Sequence, residues 1–273
     1  MTIVFRFVAA LLSGVLALPA GVAAEEASRW AEGFHSKARL VSGGAVRDSV
    51  WAGVEIALDP GYKTYWREPG DSGLPPRFEW AGSENAGSVE MSWPAPTRVE
   101  DAGGVANVYS QRVLFPVRIR PADPTRPVAL RLTLEYGVCK EICIPAEATL
   151  GLTVETGDAA HRGAIEQAFA RVPRPQALGA EGPLAITAVE RVAGEKPTYR
   201  VTVRSPNGAA LFAEPPENWY VSTSGPQAEG DFTLTVDEGP KDGRGPLPLR
   251  LTLATAADAI ETDVQLDAGP ASR

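Results

Sequence analysis

The chain has 273 residues and a formal net charge of −8, with 34 acidic and 26 basic residues. An acidic chain without a basic stripe lacks the electrostatic footprint of a nucleic-acid-binding protein, so no nucleic-acid partner is expected. With two histidines and two methionines it offers few ligands for a metal cage, whereas 27 glycines and 24 prolines between short alternating apolar runs predict a turn-rich, all-β protein.

The first 24 residues have the pattern of a cleavable signal peptide. Arg6 precedes an apolar run over residues 7–18, and the small residues Val22-Ala23-Ala24 precede Glu25. This run is too short to cross a bilayer, which needs about 20 apolar residues, and no later stretch reaches that length. We therefore expect cleavage after Ala24, no transmembrane segment in the mature chain, and a compartment outside the cytosol where disulfides persist.

Residues 27–156 are predicted to form a first β-sandwich domain. The clearest strand spans 128–136, with apolar side chains at even positions, and its partner spans 148–154. Another alternating run, 113–119, contains Pro116, which predicts an edge strand or a bulge because proline donates no ladder hydrogen bond. Short strands separated by turn signals are typical of a sandwich.

The apolar period changes in residues 157–182, which we assign to a helix and a linker. The helix is predicted over 158–172 from helical apolar spacing, with Asp158 as its cap, and a Pro/Gly-rich linker follows. The apolar stripe consists of Ile165, Ala168, Phe169 and Val172. Alternation then returns over 183–270, which predicts a second, cysteine-free β-sandwich-like domain.

Both cysteines lie in one five-residue segment, from Cys139 to Cys143. In the chain-entropy model a disulfide over so short a loop stabilises the fold by only ~2 kcal/mol, against ~4.7 kcal/mol for a loop of about 100 residues. Both positions are odd, whereas the apolar residues of the flanking strands are even, so the register predicts both sulfurs on the solvent-facing side. Proximity and exposure favour thiol–disulfide exchange over a structural role.

Three segments, residues 65–76, 93–96 and 136–147, carry a family resemblance, and the last of them contains both cysteines. They resemble the amino-terminal periplasmic domain of the thiol:disulfide interchange protein DsbD family, most closely the variant of suppressor-of-copper-sensitivity proteins. The resemblance covers roughly residues 30–155. With it, the predicted fold class is all-β: two immunoglobulin-like β-sandwich domains joined by a short helix and a Pro/Gly-rich linker.

The resemblance implies a periplasmic protein thiol–disulfide oxidoreductase that relays electrons between thioredoxin-like partners and needs no cofactor. It also implies that Cys143 forms the mixed disulfide with a partner and that Cys139 resolves it. Full-length members carry a polytopic membrane domain and a C-terminal thioredoxin-like domain, which these residues do not include. We therefore expect the electrons to come from a separate membrane electron transporter.

Residues 62–73 are aromatic, charged and loop-like in composition. A loop shields the cysteine pair in the family, so Tyr65, Trp66, Arg67 and Glu68 are candidates for a cap that opens when a partner docks. The alternative is a surface loop whose aromatic residues cover the edge of the sandwich.

A different class of function is a non-enzymatic module, either a copper(I) carrier or an adaptor that docks thioredoxin-like proteins. The soft thiolates of Cys139 and Cys143, joined by Met91 or His35, would suit copper(I). Otherwise we predict no metal site, since His35 and His161 are distant in sequence and fit ordinary surface positions.

Overall fold

The computed structural model describes residues 26–101, 104–155, 157, 160–206, 208–226, 230–240 and 246–267. The predicted signal peptide, residues 1–24, and the predicted helix cap Asp158 lie outside the described residues. Within the described part of the chain, the backbone forms nineteen β-strands and one α-helix. The prediction of an all-β fold is confirmed.

The strands of the first half come in a continuous series of hairpins and short connections. In chain order they are β1 (Ala31–Gly33), β2 (Ser36–Val46), β3 (Ser49–Leu58), β4 (Lys63–Gly70), β5 (Arg77–Glu79), β6 (Ala86–Met91), β7 (Thr97–Asp101), β8 (Gly104–Ser110), β9 (Arg112–Pro121), β10 (Val128–Cys139) and β11 (Cys143–Val154). The remaining elements are α1 (Arg162–Ala170), β12 (Arg174–Pro175), β13 (Ala185–Val192), β14 (Thr198–Arg204), β15 (Ala210–Glu214), β16 (Tyr220–Thr223), β17 (Phe232–Glu238), β18 (Pro246–Ala254) and β19 (Ala259–Asp267).

The first sandwich, residues 31–154, consists of two sheets that share one core. One sheet has the strand order β1-β2-β3-β9-β6, and the other β11-β10-β4-β8-β7 with β5 paired to β10. Even-numbered side chains of β10, from Val128 to Val138, are buried in this core, as the alternation predicts. At its aromatic centre the fully buried ring of Phe115 lies 5.1 Å from those of Phe78 and Trp93.

The prediction that Pro116 marks an edge strand or a bulge is wrong, because β9 lies between β3 and β6 and its pairing with β3 passes through Pro116 without a register shift. The last pair of the β9–β6 ladder joins Val117 to Met91, and the carbonyl of Pro116 accepts a hydrogen bond from the N–H of Ser92 just beyond it, at 2.9 Å. In an antiparallel ladder the N–H and C=O of a residue point to the same neighbour. The missing N–H therefore falls where the ladder ends and leaves the interior of the sheet intact.

The second sandwich, residues 174–267, has its own core between two four-stranded sheets. Their strand orders are β12-β19-β18-β15 and β13-β14-β17-β16. Its apolar cluster includes Phe232, Leu234, Leu249 and Leu251. The immunoglobulin-like sandwich architecture is thus present, while the domain boundaries inferred from the sequence stay a prediction.

Helix α1 is shorter than the predicted range 158–172 and packs on the first sandwich, where the ring of Phe169 lies 4.8 Å from that of Trp51. Just beyond the helix, Arg171 donates a hydrogen bond to the carbonyl of Ala256 in the second sandwich, at 3.0 Å. The helix therefore contributes to the connection between the two sandwiches through its C-terminal end.

The aromatic centre gives a stability prediction. Phe115→Ala should lower the free energy of unfolding by about 3–5 kcal/mol, because it leaves a cavity among rings that cannot close over it. Urea unfolding followed by fluorescence measures the loss. Leu178→Ala removes a side chain that is 46% exposed and should change stability by at most about 0.5 kcal/mol. Equal losses in the two variants would contradict this account of the core.

Candidate functional site

The cysteine hairpin is built by the pairing of β10 with β11. The strands form an antiparallel ladder in which Val128 lies opposite Val154 and, at the far end, Cys139 lies opposite Cys143. The two Cα atoms are 4.2 Å apart, and the sulfurs are joined in a disulfide. Directly opposed residues of an antiparallel pair place their side chains on the same face, so the ladder itself brings the two sulfurs together.

The two cysteines differ in exposure: Cys139 is only 2% exposed, whereas Cys143 is exposed. Cys139 does lie outside the main core of the first sandwich, as its odd position predicts, but the prediction that it faces solvent is wrong. Side chains from neighbouring strands cover its sulfur and form with it a small apolar cluster, separate from the main core. The cluster consists of Tyr65, Ala106, Val108 and Cys139, with Val99 packed against it.

Cys143 stays exposed because β11 lies at the edge of its sheet. Among the described residues, β11 pairs with β10 on one side and with no strand on the other. Thiol–disulfide exchange requires access to the sulfur that is attacked. Of the two sulfurs, that of Cys143 is therefore the one within reach of another protein.

Tyr65 covers the disulfide with both its ring and its hydroxyl group. The hydroxyl lies 3.0 Å from the Sγ of Cys143, within hydrogen-bonding distance. The ring is held by Gly73, where a Cβ would lie 2.5 Å from two ring carbons. Beside it, the carbonyl of Leu74 accepts a hydrogen bond from the N–H of Gly137 in β10, at 3.2 Å. Tyr65 and residues 73–74 together form a cover over the buried side of the hairpin.

The candidate cap segment is not a loop, because most of it is strand β4. Its pairing with β8 shifts register, from Tyr65 opposite Val108 to Gly70 opposite Ala106. The four residues between, 66–69, therefore face a single residue of β8; we call them the bulge. An extra run of residues in one strand leaves the ladder and redirects its side chains.

Of the four cap candidates, Tyr65 is the one that the described structure places at the disulfide. Trp66 is fully buried, with its ring centre 5.6 Å from that of Phe212 in the second sandwich. Arg67 forms ion pairs with the second sandwich, and Glu68 lines a cavity of about 330 Å³ between the sandwiches. The bulge thus faces the second sandwich, and sequence reasoning missed this because the partners are remote in sequence.

Arg67 is a charged anchor between the two sandwiches. Its Nε and Nη2 donate to the carboxylate of Glu214 at 2.6 and 2.8 Å, and Nη2 also donates to Glu261 at 3.0 Å. Burial alone would lower the pKa of Arg67, but the hydrogen bonds and negative charges of the two carboxylates outweigh it and raise the pKa. Bidentate pairing of this kind fixes geometry as well as charge.

Apolar side chains remain exposed around the hairpin tip. Ile142 in the turn is 69% exposed, and Phe34 is 45% exposed. Phe34 contacts the ring of Tyr62, and the ammonium group of Lys140 lies 5.7 Å from the centre of that ring. Exposed apolar side chains are ordinary when they are scattered singly, and they mark interaction sites when they form a contiguous patch with a polar rim. These exposed apolar residues were not predicted from the sequence, although an isoleucine in a charged turn was a usable signal.

The copper(I) alternative rests on residues that are otherwise engaged. The Nδ1 of His35 lies 2.7 Å from the Oδ2 of Asp59, and Met91 packs against the main core of the first sandwich. Within the described ranges, no group of three or more His, Cys, Asp or Glu side chains is placed to hold a metal ion.

No helix in the same ranges has the length and apolar composition needed to cross a bilayer.

Fold and site together define an immunoglobulin-like β-sandwich protein that carries a cysteine pair at the end of an edge hairpin. Residues 33–155 match the family model described as thiol:disulfide interchange protein DsbD, N-terminal. The residues matched include the three segments whose motifs carry the resemblance, so the match agrees with it.

The match extends beyond these residues at the level of fold. The chain is similar to the N-terminal periplasmic domain of ScsB from Proteus mirabilis, with a TM-score of 0.68 and 21% identity, over 89% of this chain and 99% of that one. The tandem Ig repeats of Dlar also align, with a TM-score of 0.23 and 12% identity, over 85% of this chain and 98% of theirs. The comparison with curated protein sequences gives no match.

The contact between Tyr65 and Cys143 predicts a kinetic effect of the hydroxyl group. In a Cys139→Ala background, Tyr65→Phe should slow alkylation of the remaining thiol near neutral pH by about three- to tenfold, because a hydrogen bond of about 0.5–1.5 kcal/mol to the thiolate is lost. Iodoacetamide labelling across a pH series measures the rate. Tyr62→Phe is the matched control, and an unchanged rate in Tyr65→Phe would show that the hydroxyl does not act on the sulfur.

The half-buried position of Glu68 predicts a pH-dependent stability. Burial raises the pKa of its carboxyl group, the N–H of Gly70 opposes the shift, and the charge of Glu214 adds to it. The folded state therefore holds the proton more tightly than the unfolded chain, so ionised Glu68 destabilises the fold above its raised pKa, and the effect vanishes at lower pH where both states are protonated.

Glu68→Gln should accordingly stabilise the protein near neutral pH, and its advantage should shrink as the pH falls through the raised pKa of Glu68. Urea unfolding at a series of pH values measures the difference. The exposed Glu217, on the rim of the same cavity, gives the control Glu217→Gln. An advantage that is constant with pH would contradict the assignment to Glu68.

Proposed function

We propose that this protein exchanges thiols and disulfides with thioredoxin-like proteins of the periplasm through the Cys139–Cys143 pair. The observation that carries the proposal is a disulfide with one exposed and one covered sulfur at the end of an edge strand, within the residues that match the DsbD N-terminal family model. A labile disulfide in an accessible position is the kind used in exchange, whereas structural disulfides resist reduction.

In the proposed reaction, a thiolate of a reduced partner attacks the Sγ of Cys143. The Cys139–Cys143 bond breaks, a partner–Cys143 disulfide forms, and Cys139 leaves as a thiolate that can take up a proton. The second thiol of the partner then attacks its own sulfur in the mixed disulfide and releases Cys143. The partner is oxidised by two electrons, and the Cys139–Cys143 pair is reduced by two.

The reverse sequence passes the electrons onward. The thiolate of Cys143 attacks the disulfide of an oxidised partner, and Cys139 then attacks Cys143 and releases that partner reduced. The Tyr65 hydroxyl, 3.0 Å from the Cys143 sulfur, is placed to donate a hydrogen bond to the thiolate in either direction. The step needs no cofactor, because both electrons stay on sulfur throughout.

Location and partners follow from the same proposal. Export through a signal peptide at residues 1–24 would place the chain in the periplasm, and the similar N-terminal domain of ScsB is likewise periplasmic. Reduction by a separate membrane electron transporter would supply the electrons. We also propose the redox domain at residues 27–156, the helix and linker at 157–182, and the second domain at 183–270.

Partner trapping tests the proposal. With an oxidised thioredoxin-like protein as partner, Cys139→Ala should accumulate a mixed disulfide, because Cys143 can attack the disulfide of the partner but Cys139 is no longer present to release the reduced partner. Cys143→Ala should accumulate none, because its remaining sulfur is the covered one. Non-reducing gel electrophoresis followed by mass spectrometry of the adduct measures both, and the double variant is the control.

Redox titration of the unmodified chain should give a single two-electron transition at a defined potential. Absence of any mixed disulfide in Cys139→Ala, together with tight copper(I) binding that both single variants lose, would overturn the exchange reaction in favour of the copper(I) module.

A further inference from the structure

Residues 65–74, which we call the strap, join the cover of the disulfide to the second sandwich. The bulge in the middle of the strap has little backbone pairing, because its four residues face a single residue of β8. That residue, Asn107, donates from its side-chain nitrogen to the backbone carbonyl of Glu68, at 2.9 Å. Side-chain contacts therefore hold the middle of the strap, and these contacts lead to the second sandwich.

The first anchor of the strap is Arg67. Glu214 comes from β15 and Glu261 from β19, so the guanidinium group joins two strands of the second sandwich to the strap. The side chains of the three residues are 23%, 16% and 17% exposed. Ion pairs so far removed from solvent are screened little by salt, and removal of one partner leaves an unpaired buried charge.

The second anchor lies four residues further along the chain. The hydroxyl of Tyr220 donates to one carboxylate oxygen of Asp71, and the other oxygen accepts a hydrogen bond from the N–H of Val105, at 2.8 Å. Burial and the hydrogen bond to Asp71 raise the pKa of Tyr220 to about 12, so the hydroxyl remains a donor across the physiological range. Asp71 thus ties the strap to β8 and to the second sandwich together.

Both ends of the strap cover the disulfide. Tyr65 is the immediate neighbour of the bulge, and its hydroxyl contacts the Sγ of Cys143 at 3.0 Å. Gly73 packs against the ring of Tyr65, and the carbonyl of Leu74 accepts a hydrogen bond from the N–H of Gly137. A displacement of the anchored middle would therefore move the covering ends.

We propose that the second sandwich holds the cover of the disulfide closed through the strap, with Arg67 as the positioning residue. Cys143 is exposed at the open edge, but its sulfur is in contact with the Tyr65 hydroxyl, and Cys139 is covered. The cysteine-free sandwich thereby sets how readily either sulfur of the Cys139–Cys143 bond is reached. That this link regulates electron transfer rests on the proposed function. The link between the second sandwich and the cover, through the strap, does not.

Reduction by tris(2-carboxyethyl)phosphine tests the link without any protein partner. Arg67→Gln should be reduced about tenfold faster than the unmodified chain, because loss of charge-assisted hydrogen bonds raises the population with an open strap. The rate is followed by quenched thiol labelling. Arg191→Gln is the matched control: it removes an exposed ion pair with Asp267 in the second sandwich and should leave the rate unchanged.

Two further variants keep the test decisive if Arg67→Gln does not fold. Glu214→Gln combined with Glu261→Gln removes the same anchor from the other side and should also speed reduction. Tyr220→Phe removes one hydroxyl at the second anchor and should speed reduction about threefold, as expected for one hydrogen bond.

Dependence on Tyr65 separates positioning from general loosening of the fold. If Arg67 acts through the cover, Arg67→Gln should add little to the reduction rate in a Tyr65→Ala background, whereas independent effects would multiply. Rates equal to the unmodified chain in all three anchor variants, or a full multiplicative effect in the Tyr65→Ala background, would overturn the link. Failure of partner trapping would instead count against the exchange reaction and leave this result standing.

Discussion

The register between β10 and β11 is the constraint on which the site depends. The alternation that buries Leu130, Leu132 and Leu134 in the core also fixes Cys139 opposite Cys143 at the end of the same ladder. A slip of one residue would turn every core side chain of β10 outward, so the core excludes it. The proximity of the two sulfurs is therefore enforced by burial of apolar surface along the whole hairpin, and it does not require a special conformation of the three-residue turn.

Much of this could be predicted from the sequence, because it depends on local periodicity. The period of two located β10 and β11, and the odd positions of the cysteines placed them outside the main core. The burial of Cys139 could not be predicted, since it depends on Tyr65 from a different hairpin. Nor could the role of Arg67, whose partners lie 147 and 194 residues away. The charged, proline-containing composition of β4 indicates a loop, but a bulge anchored by remote side chains accommodates the same residues.

Strand β4 connects the two sandwiches because its alternate side chains serve different faces. Tyr65 covers the disulfide, whereas its neighbour Trp66 packs toward Phe212. The bulge and its surroundings have an energetic cost: one buried polar atom in each of Trp66, the preceding Thr64 and the opposing Asn107 has no hydrogen-bond partner among the described residues. A buried polar group without a partner costs about 1–3 kcal/mol. The ion pairs of Arg67 and the contact of Trp66 with Phe212 join the bulge to the second sandwich, so the strap depends on that sandwich for its packing.

The cover also has a consequence for the order of the proposed steps. An incoming thiolate reaches Cys143 at the open edge, but it meets Tyr65 and its neighbours before it reaches Cys139. Packing thus directs the first attack to Cys143, whatever the intrinsic reactivity of the two sulfurs. Resolution by Cys139 has no such barrier, because the Cα atoms of the pair are 4.2 Å apart and the attack runs within the hairpin. Such proximity makes the step effectively intramolecular. A closed cover would therefore exclude foreign thiols from Cys139 without slowing the attack of Cys139 on the sulfur of Cys143.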